Sequence, residues 1–501
     1  MHLGIDLGTT RTVVARVDRG NYPVLAFLDT VGDPHEFMPS VAADRDGDLV
    51  FGFDALAAAE EGAPLLRSFK RLMGDAEASP TSRVSIGERE HLLLDVVTGF
   101  LHALREAIDD SPAIGAPSRA GRPHQVVVSV PAHAPTVQRF LTLEAFRGAG
   151  FEVLALMNEP SAAGFEYTHR RPRTLSSKRT RILVYDLGGG TFDASLVSAE
   201  ASRHEVLGSV GVNRLGGDDV DVLLAQTALR SAGEPNLTRA QWRRLLAECR
   251  DAKERLTPQS RRLVVDLDGD PVLIEVDEVY RHVTPLIEQS VTAMEPLVGR
   301  LEADEVAESL AEVAGVYLVG GASGLPLVPR VLRQRFGRRV FRSPYPAAAT
   351  AIGLAIAADP ESDFTMRDRL SRSFGVFREQ SAGSALGFDE ILSPDASLPS
   401  TGDAVLTRRY RAAHNVGWFR YVEYPGRDIL GEPSGELTPF AEVLFPFDPA
   451  LREVEDLTAV PIRRTGDGPE VEERYAIDSD GLVHVTITVL EDGYSRSFGL
   501  R

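Results

Sequence analysis

Two stretches of this 501-residue chain carry a matched set of groups able to hold a phosphate. Ile182 to Asp193 reads Ile-Leu-Val-Tyr-Asp-Leu-Gly-Gly-Gly-Thr-Phe-Asp. The apolar run predicts a buried strand that delivers the Asp186 carboxylate at its end. Gly188, Gly189 and Gly190 have no Cβ, so an anion can approach their N–H groups and the turn can take left-handed dihedrals. A carboxylate beside such a turn suits a phosphate carrying a magnesium ion, although a Gly-rich turn can also serve only to reverse the chain. Leu3-Gly4-Ile5-Asp6-Leu7-Gly8-Thr9-Thr10 repeats the order of strand, aspartate, glycine and threonine. Two copies predict a duplicated core, each half giving one carboxylate and one phosphate loop to a shared cleft.

The elements that must position these groups alternate along the first 358 residues. Gln125 to Val130 reads as a strand ending at Pro131, followed by a helix from Thr136 closed by Gly150. Val153 to Met157 is a second strand, and Asn158-Glu159-Pro160 opens a short helix. After Asp193 come Leu215-Gly216-Gly217-Asp218-Asp219, helical patterns over Arg239–Leu256 and Asp277–Leu297, and a strand Gly315–Val319 entering Gly320-Gly321. An Ala-rich helix from Pro346 to Ala357 closes this part. Strands alternating with helices predict an α/β sheet architecture. A polar connector is expected at 359–371, and the final third, 372–501, reads as short strands separated by Gly, Pro and Asp, an all-β module. Asp44 to Asp48, Asp266 to Asp270 and Asp478 to Gly481 are expected as hairpin turns rather than calcium loops, because the remaining ligand spacing is missing.

Composition narrows the function classes. A net charge of −19 argues against broad nucleic-acid binding. The local cluster Arg170, Arg171, Arg173, Lys178, Arg179 and Arg181 reads as a solvated loop. One cysteine, Cys249, excludes an internal disulfide framework, and an inert helix thiol is expected. No signal region opens the chain and no stretch is apolar enough to span a bilayer, so a cytoplasmic protein without membrane or nucleic-acid partners is expected. Lys70, in Phe69-Lys70-Arg71-Leu72, is either an exposed helix-end lysine or one whose stem packs while its ammonium faces a cleft. Trp418, Phe419, Tyr421 and Tyr424 either line a groove or belong to a strand's core and flank.

The motifs named above, with Val130-Pro131-Ala132, Ala252-Lys253 and Val319-Gly320-Gly321, resemble the heat shock protein 70 (DnaK-like) chaperones over residues 1 to about 358. Ser373 to Val376, Ser397-Leu398-Pro399 and Tyr475 to Val485 resemble parts of that family's β-sandwich peptide-binding domain. The resemblance implies an actin-like, two-lobed ATPase followed by a β-sandwich domain, here without a helical lid. It implies that Asp6 and Asp186 hold magnesium through water. Gly8, Thr9 and Thr10 face the phosphates, as do Gly188, Gly189, Gly190 and Thr191. Lys70 reaches the γ-phosphate, Glu159 and Asp193 orient or deprotonate the attacking water, and Thr191 contacts the γ-phosphate. Gly216, Gly217, Lys253, Thr257, Gly320 and Gly321 surround the nucleotide, and Pro131 and Arg139 relay nucleotide state between domains. The implied cofactors are ATP/ADP and Mg²⁺. The implied partners are client polypeptides, a J-domain protein and a nucleotide-exchange factor.

This chain departs from the family at Arg250 for a glutamate, Gly324 for an arginine and Ala347 for an aspartate, all near the adenine. Ala155 replaces an arginine used toward J-domain partners, and Phe364 to Asp368 replaces an apolar linker. The expected function is an ATP-dependent chaperone that controls client binding. One alternative is an ATP-gated scaffold with a dedicated protein partner. The other is a small-molecule kinase, which would need a carboxylate base beside a bound acceptor, and no separate candidate for one is visible.

Overall fold

The computed structural model describes residues 1–75, 77–111, 123–171, 175–176, 179–200, 203–298, 312–367, 372–380, 385–393, 404–424, 426–427, 433–434 and 437–500. Contacts divide the chain into two compact units. The first contains Met1–Leu72, Arg83–His133 and Ala145–Met366; the second contains Met73–Ser82, Ala134–Glu144 and Arg367–Arg501.

The first unit is built on two mixed sheets with the same internal plan. In one, Glu152–Asn158, Gln125–Val130 and His2–Leu7 run parallel, and His2–Leu7 then pairs antiparallel with Arg11–Arg16, which is followed by Met38–Pro39. In the other, Val340–Arg342, Val313–Val319 and Arg181–Leu187 run parallel, and Arg181–Leu187 pairs antiparallel with Phe192–Glu200, followed by Arg203–Val212. In both sheets the glycine turn joins the last parallel strand to its antiparallel neighbour. Asp6 and Asp186 therefore occupy equivalent places, each the second-last residue of its strand. Arg181–Leu187 is buried at every position after the first, as a strand covered on both faces requires.

The helix Ala349–Ala358 is apolar all round and almost wholly buried. It fits because facing positions lack side chains. A Cβ on Gly4 would lie 2.2 Å from the Ala355 nitrogen, and one on Gly353 would lie 1.8 Å from the Ala162 carbonyl oxygen. Those contacts seat the helix on His2–Leu7 and on the helix Glu159–Arg170, fixing the base of the latter.

Within the expected polar connector, Thr365–Arg367 forms an edge strand beside Arg203–Val212. Phe364 anchors it, with its ring 5.5 Å from Phe165 and 5.6 Å from His204. The short apolar content of this segment disguised a strand whose partner lies about 160 residues earlier. Residues 368–371 of the connector, including Asp368, lie outside the described residues.

The hairpin expectations hold where the chain reverses at Asp46-Gly47 and Asp268-Gly269, both pairs at positive φ. The arginine cluster is more engaged than a solvated loop. Arg181 pairs with Glu312 at 2.7 Å, while Arg170 and Arg171 stack over Tyr345 and Phe341. Arg173 and Lys178 lie outside the described residues.

The second unit contains two four-stranded sheets that share one core of Phe374, Val376, Tyr421, Phe445, Tyr475 and Val485. Strand alternation turns Phe419 and Tyr421 into the core and Trp418 outward, where it stacks with Arg420 at 4.7 Å, while Tyr424 is buried against Phe388 and Glu390. The core also holds a charge. Glu473, fully buried, accepts two bonds from Arg378 at 3.0 and 2.6 Å, with Tyr410 at 2.5 Å and Tyr475 completing its shell. Ser397-Leu398-Pro399 lie outside the described residues.

Candidate functional site

A cleft of about 610 Å³ opens in the first unit, the size of a nucleotide-scale ligand site. The two glycine turns meet across it. A Cβ on Gly189 would lie 2.8 Å from the Thr10 side chain, and one on Gly190 would lie 2.7 Å from that of Thr9. The second turn is internally fixed by a Gly188 N–H bond to the Thr191 carbonyl at 3.0 Å. Gly217 N–H then donates to the Gly188 carbonyl at 3.0 Å, so the Gly216-Gly217 segment is stitched to the same turn.

Lys70 enters from the short helix Phe69–Met73. Ser68 precedes it in the left-handed region (φ 56°) and donates to Asp218 Oδ2 at 3.2 Å, which turns the helix into the cleft. The Lys70 ammonium donates to Glu159 Oε1, and both groups are buried. Glu159 opens its helix, where the N-terminal dipole favours a carboxylate. Burial lowers the lysine's pKa, but Glu159, Asp6 and Asp193 more than offset it and hold the ammonium charged.

Three aspartates surround this pair. Asp6 accepts a bond from Ser129 Oγ at 3.0 Å; burial, then the Glu159 charge, pushes its carboxyl up to about 6. Asp186 is raised well above the ordinary value, first by burial and then by Glu159, Asp6 and Asp193. Asp193 accepts from the Ala132 N–H at 3.0 Å and is pushed up to about 7, by burial and then by Glu159. Pro131 is the residue before that donor. Crowding of carboxyl groups raises Asp6, Asp186 and Asp193, and an added cation would relieve it. Among the described residues no three His, Cys, Asp or Glu groups come close enough to form a direct metal cage. Two carboxylates on opposite walls fit instead a hydrated Mg²⁺ that keeps several of its waters.

Most expected site residues line the cleft: Asp6, Gly8, Thr9, Thr10, Lys70, Glu159, Asp186, Gly188, Gly189, Thr191, Gly217, Lys253, Gly320 and Gly321. Gly320 must be glycine, because its φ is 82° and a Cβ would lie 2.3 Å from Asp186 Oδ1. Gly190, Gly216 and Asp193 support the wall without lining it. Thr257 is not brought to the site. It is exposed, and its hydroxyl pairs with Ser260 at 3.1 Å, closing the turn after the helix Arg239–Glu254. Arg139 also lies elsewhere, in the second unit, donating to the Asp480 carbonyl at 3.0 Å.

Two residues not expected from sequence, Arg71 and Asp221, support the walls. Arg71 donates to the Gly190 carbonyl at 2.6 Å and to Asp219 at 3.1 Å, holding the second turn. Arg250 and Lys253 both engage Asp221, at 3.3 and 2.6 Å. Arg71 follows Lys70 directly, and that adjacency was the available signal; the Asp221 pairs depend on helix packing and carried none. Cys249 is buried beside them, and burial pushes its thiol up to about 12.

A family model described as Hsp70 protein matches residues 117–377. The chain is similar to the chaperone protein HscA of Escherichia fergusonii, at 33% identity over 517 residues, spanning 99% of this chain and 77% of that protein. HscA of Escherichia coli matches at the same identity and coverage. Among the described residues no helix is long and apolar enough to cross a membrane.

Proposed function

Because this chain belongs to the Hsp70 family and is an ATP-dependent chaperone and ATPase of that type, we propose that the cleft between the two glycine turns is its site of ATP hydrolysis. The observation that carries this reading is the meeting of Thr9 and Thr10 with Gly189 and Gly190 around the buried Lys70–Glu159 pair. The turn N–H groups and the Thr9, Thr10 and Thr191 hydroxyls hold the phosphates. Lys70 offsets charge that develops on the terminal phosphoryl group, and Glu159 and Asp193 orient the attacking water and accept its proton. Asp6 and Asp186 hold Mg²⁺ through its waters, and the ion, when bound, neutralises phosphate charge. Gly217, Lys253, Gly320 and Gly321 form the wall along the nucleoside.

Residues 1–358 form an actin-like nucleotide-binding domain in this reading, with a β-sandwich at 372–501 that takes client polypeptide. Pro131, next to the Asp193 donor, and Arg139 are the proposed relay. A J-domain protein and an exchange factor are the proposed partners. Phosphate release from ATP and magnesium tests the proposal: steady release with no added acceptor is expected, together with acceleration by an unfolded protein. Release that requires a small-molecule acceptor would identify a kinase instead. Steady release indifferent to unfolded proteins, with one tight native partner, would favour the scaffold.

A further inference from the structure

The two sheets repeat one plan, but beside their strand-end carboxylates they differ by a hydroxyl group. In the first sheet His2–Leu7 runs parallel to Gln125–Val130, with Ile5 opposite Val128. Asp6 and Ser129 are the next residues of those two strands, and Ser129 Oγ donates to Asp6 Oδ1 at 3.0 Å. In the second sheet Arg181–Leu187 runs parallel to Val313–Val319, with Asp186 opposite Val319, whose side chain has no donor. Among the described residues nothing donates a hydrogen bond to the Asp186 carboxylate.

Ser129 and Val319 are equally enclosed, at 1% and 0% exposure. A sheet position that accepts valine in one half has no packing need for a hydroxyl in the other. Burying a hydroxyl costs free energy that an apolar side chain does not, unless a hydrogen bond offsets it. For Ser129 that bond is the one to Asp6. It fixes one carboxylate oxygen and leaves Oδ2, which among the described residues accepts no hydrogen bond, for the water shell of a cation. Resting on the reading of the cleft as a magnesium–nucleotide site, we propose that Ser129 is a positioning residue that holds Asp6 ready for the hydrated ion. Asp6 is then the fixed carboxylate of the equivalent pair, and Asp186 the one that adjusts when the ion arrives.

Calorimetric titration of ATP into the full chain, with magnesium and again with a chelator, gives the factor by which the ion tightens binding. Ser129→Ala should cut that factor by about 10-fold, with affinity in the chelator unchanged. Ser129→Thr keeps the hydroxyl and should retain most of the factor. In an Asp6→Asn background Ser129→Ala should alter it by less than about 2-fold, because the carboxylate it serves is gone. A hydroxyl that only supports the sheet would weaken binding alike with and without the ion. That result would overturn the assignment, as would an unchanged factor in Ser129→Ala, equal losses in Ser129→Ala and Ser129→Thr, or the full effect persisting beside Asp6→Asn. An unmodified chain whose ATP affinity ignores magnesium would remove the metal reading, and one that binds no ATP would remove the nucleotide reading. Both results are seen before any variant is made.

Discussion

Burial alone would strip the proton from a lysine placed as Lys70 is, and the carboxylates of Glu159, Asp6 and Asp193 keep it on. Glu159 is itself buried against that ammonium. Glu159→Gln should therefore cut ATP turnover by about 100-fold or more, the usual scale for a positioned proton acceptor, with nucleotide affinity little changed. Single-turnover phosphate release beside a binding isotherm separates the two effects. Cys249 makes a second residue-scale test. With its thiol pushed up to about 12 and buried, maleimide should leave it unmodified in the native chain at neutral pH and modify it fully in denaturant, read by mass spectrometry. The carboxylates and glycines were legible in the sequence because their chemistry is local: an aspartate at a strand end beside bare backbone reads the same in any fold. Thr257 was not, since its expected role came from position in a motif while its hydroxyl is taken by Ser260 three residues on.

At the scale of elements, close packing without side chains does what caps and charges do elsewhere. The Gly353 contact leaves no room for a methyl group. Gly353→Ala should cost about 1–3 kcal/mol or more through overpacking, measured as a lower denaturant midpoint at unchanged slope. Within the second unit, Glu473→Ala would leave the Arg378 guanidinium only its Asp389 partner and should cost about 1–3 kcal/mol. The double replacement Glu473→Leu with Arg378→Met should cost clearly less, because it removes both charges. The alternation of strands and helices was readable from period and punctuation. The edge strand Thr365–Arg367 was not, because three residues carry no period and what holds them, the pairing with Arg203–Val212 and the Phe364 anchor, is remote in sequence. The buried Glu473 was equally hidden: a run such as Glu470-Val471-Glu472-Glu473 reads as solvated until the facing sheet brings Arg378 against it.

For the molecule as a whole, duplication was the most informative feature of the sequence. Either glycine turn alone could have been a chain reversal. Both together predicted two halves facing one cleft, and the two sheets repeat one plan with Asp6 and Asp186 in equivalent places. Against a net charge of −19 the buried Lys70 ammonium in the cleft, and Arg71 holding the second glycine turn, are the more telling. The central claim is that this clamp hydrolyses ATP with water as acceptor and depends on the Lys70 ammonium to do so. Its most direct test is phosphate release and ATP affinity measured together for the chain and for Lys70→Ala. Turnover should fall by about 100-fold or more, with ATP affinity changed far less. Turnover unchanged by the substitution would contradict it.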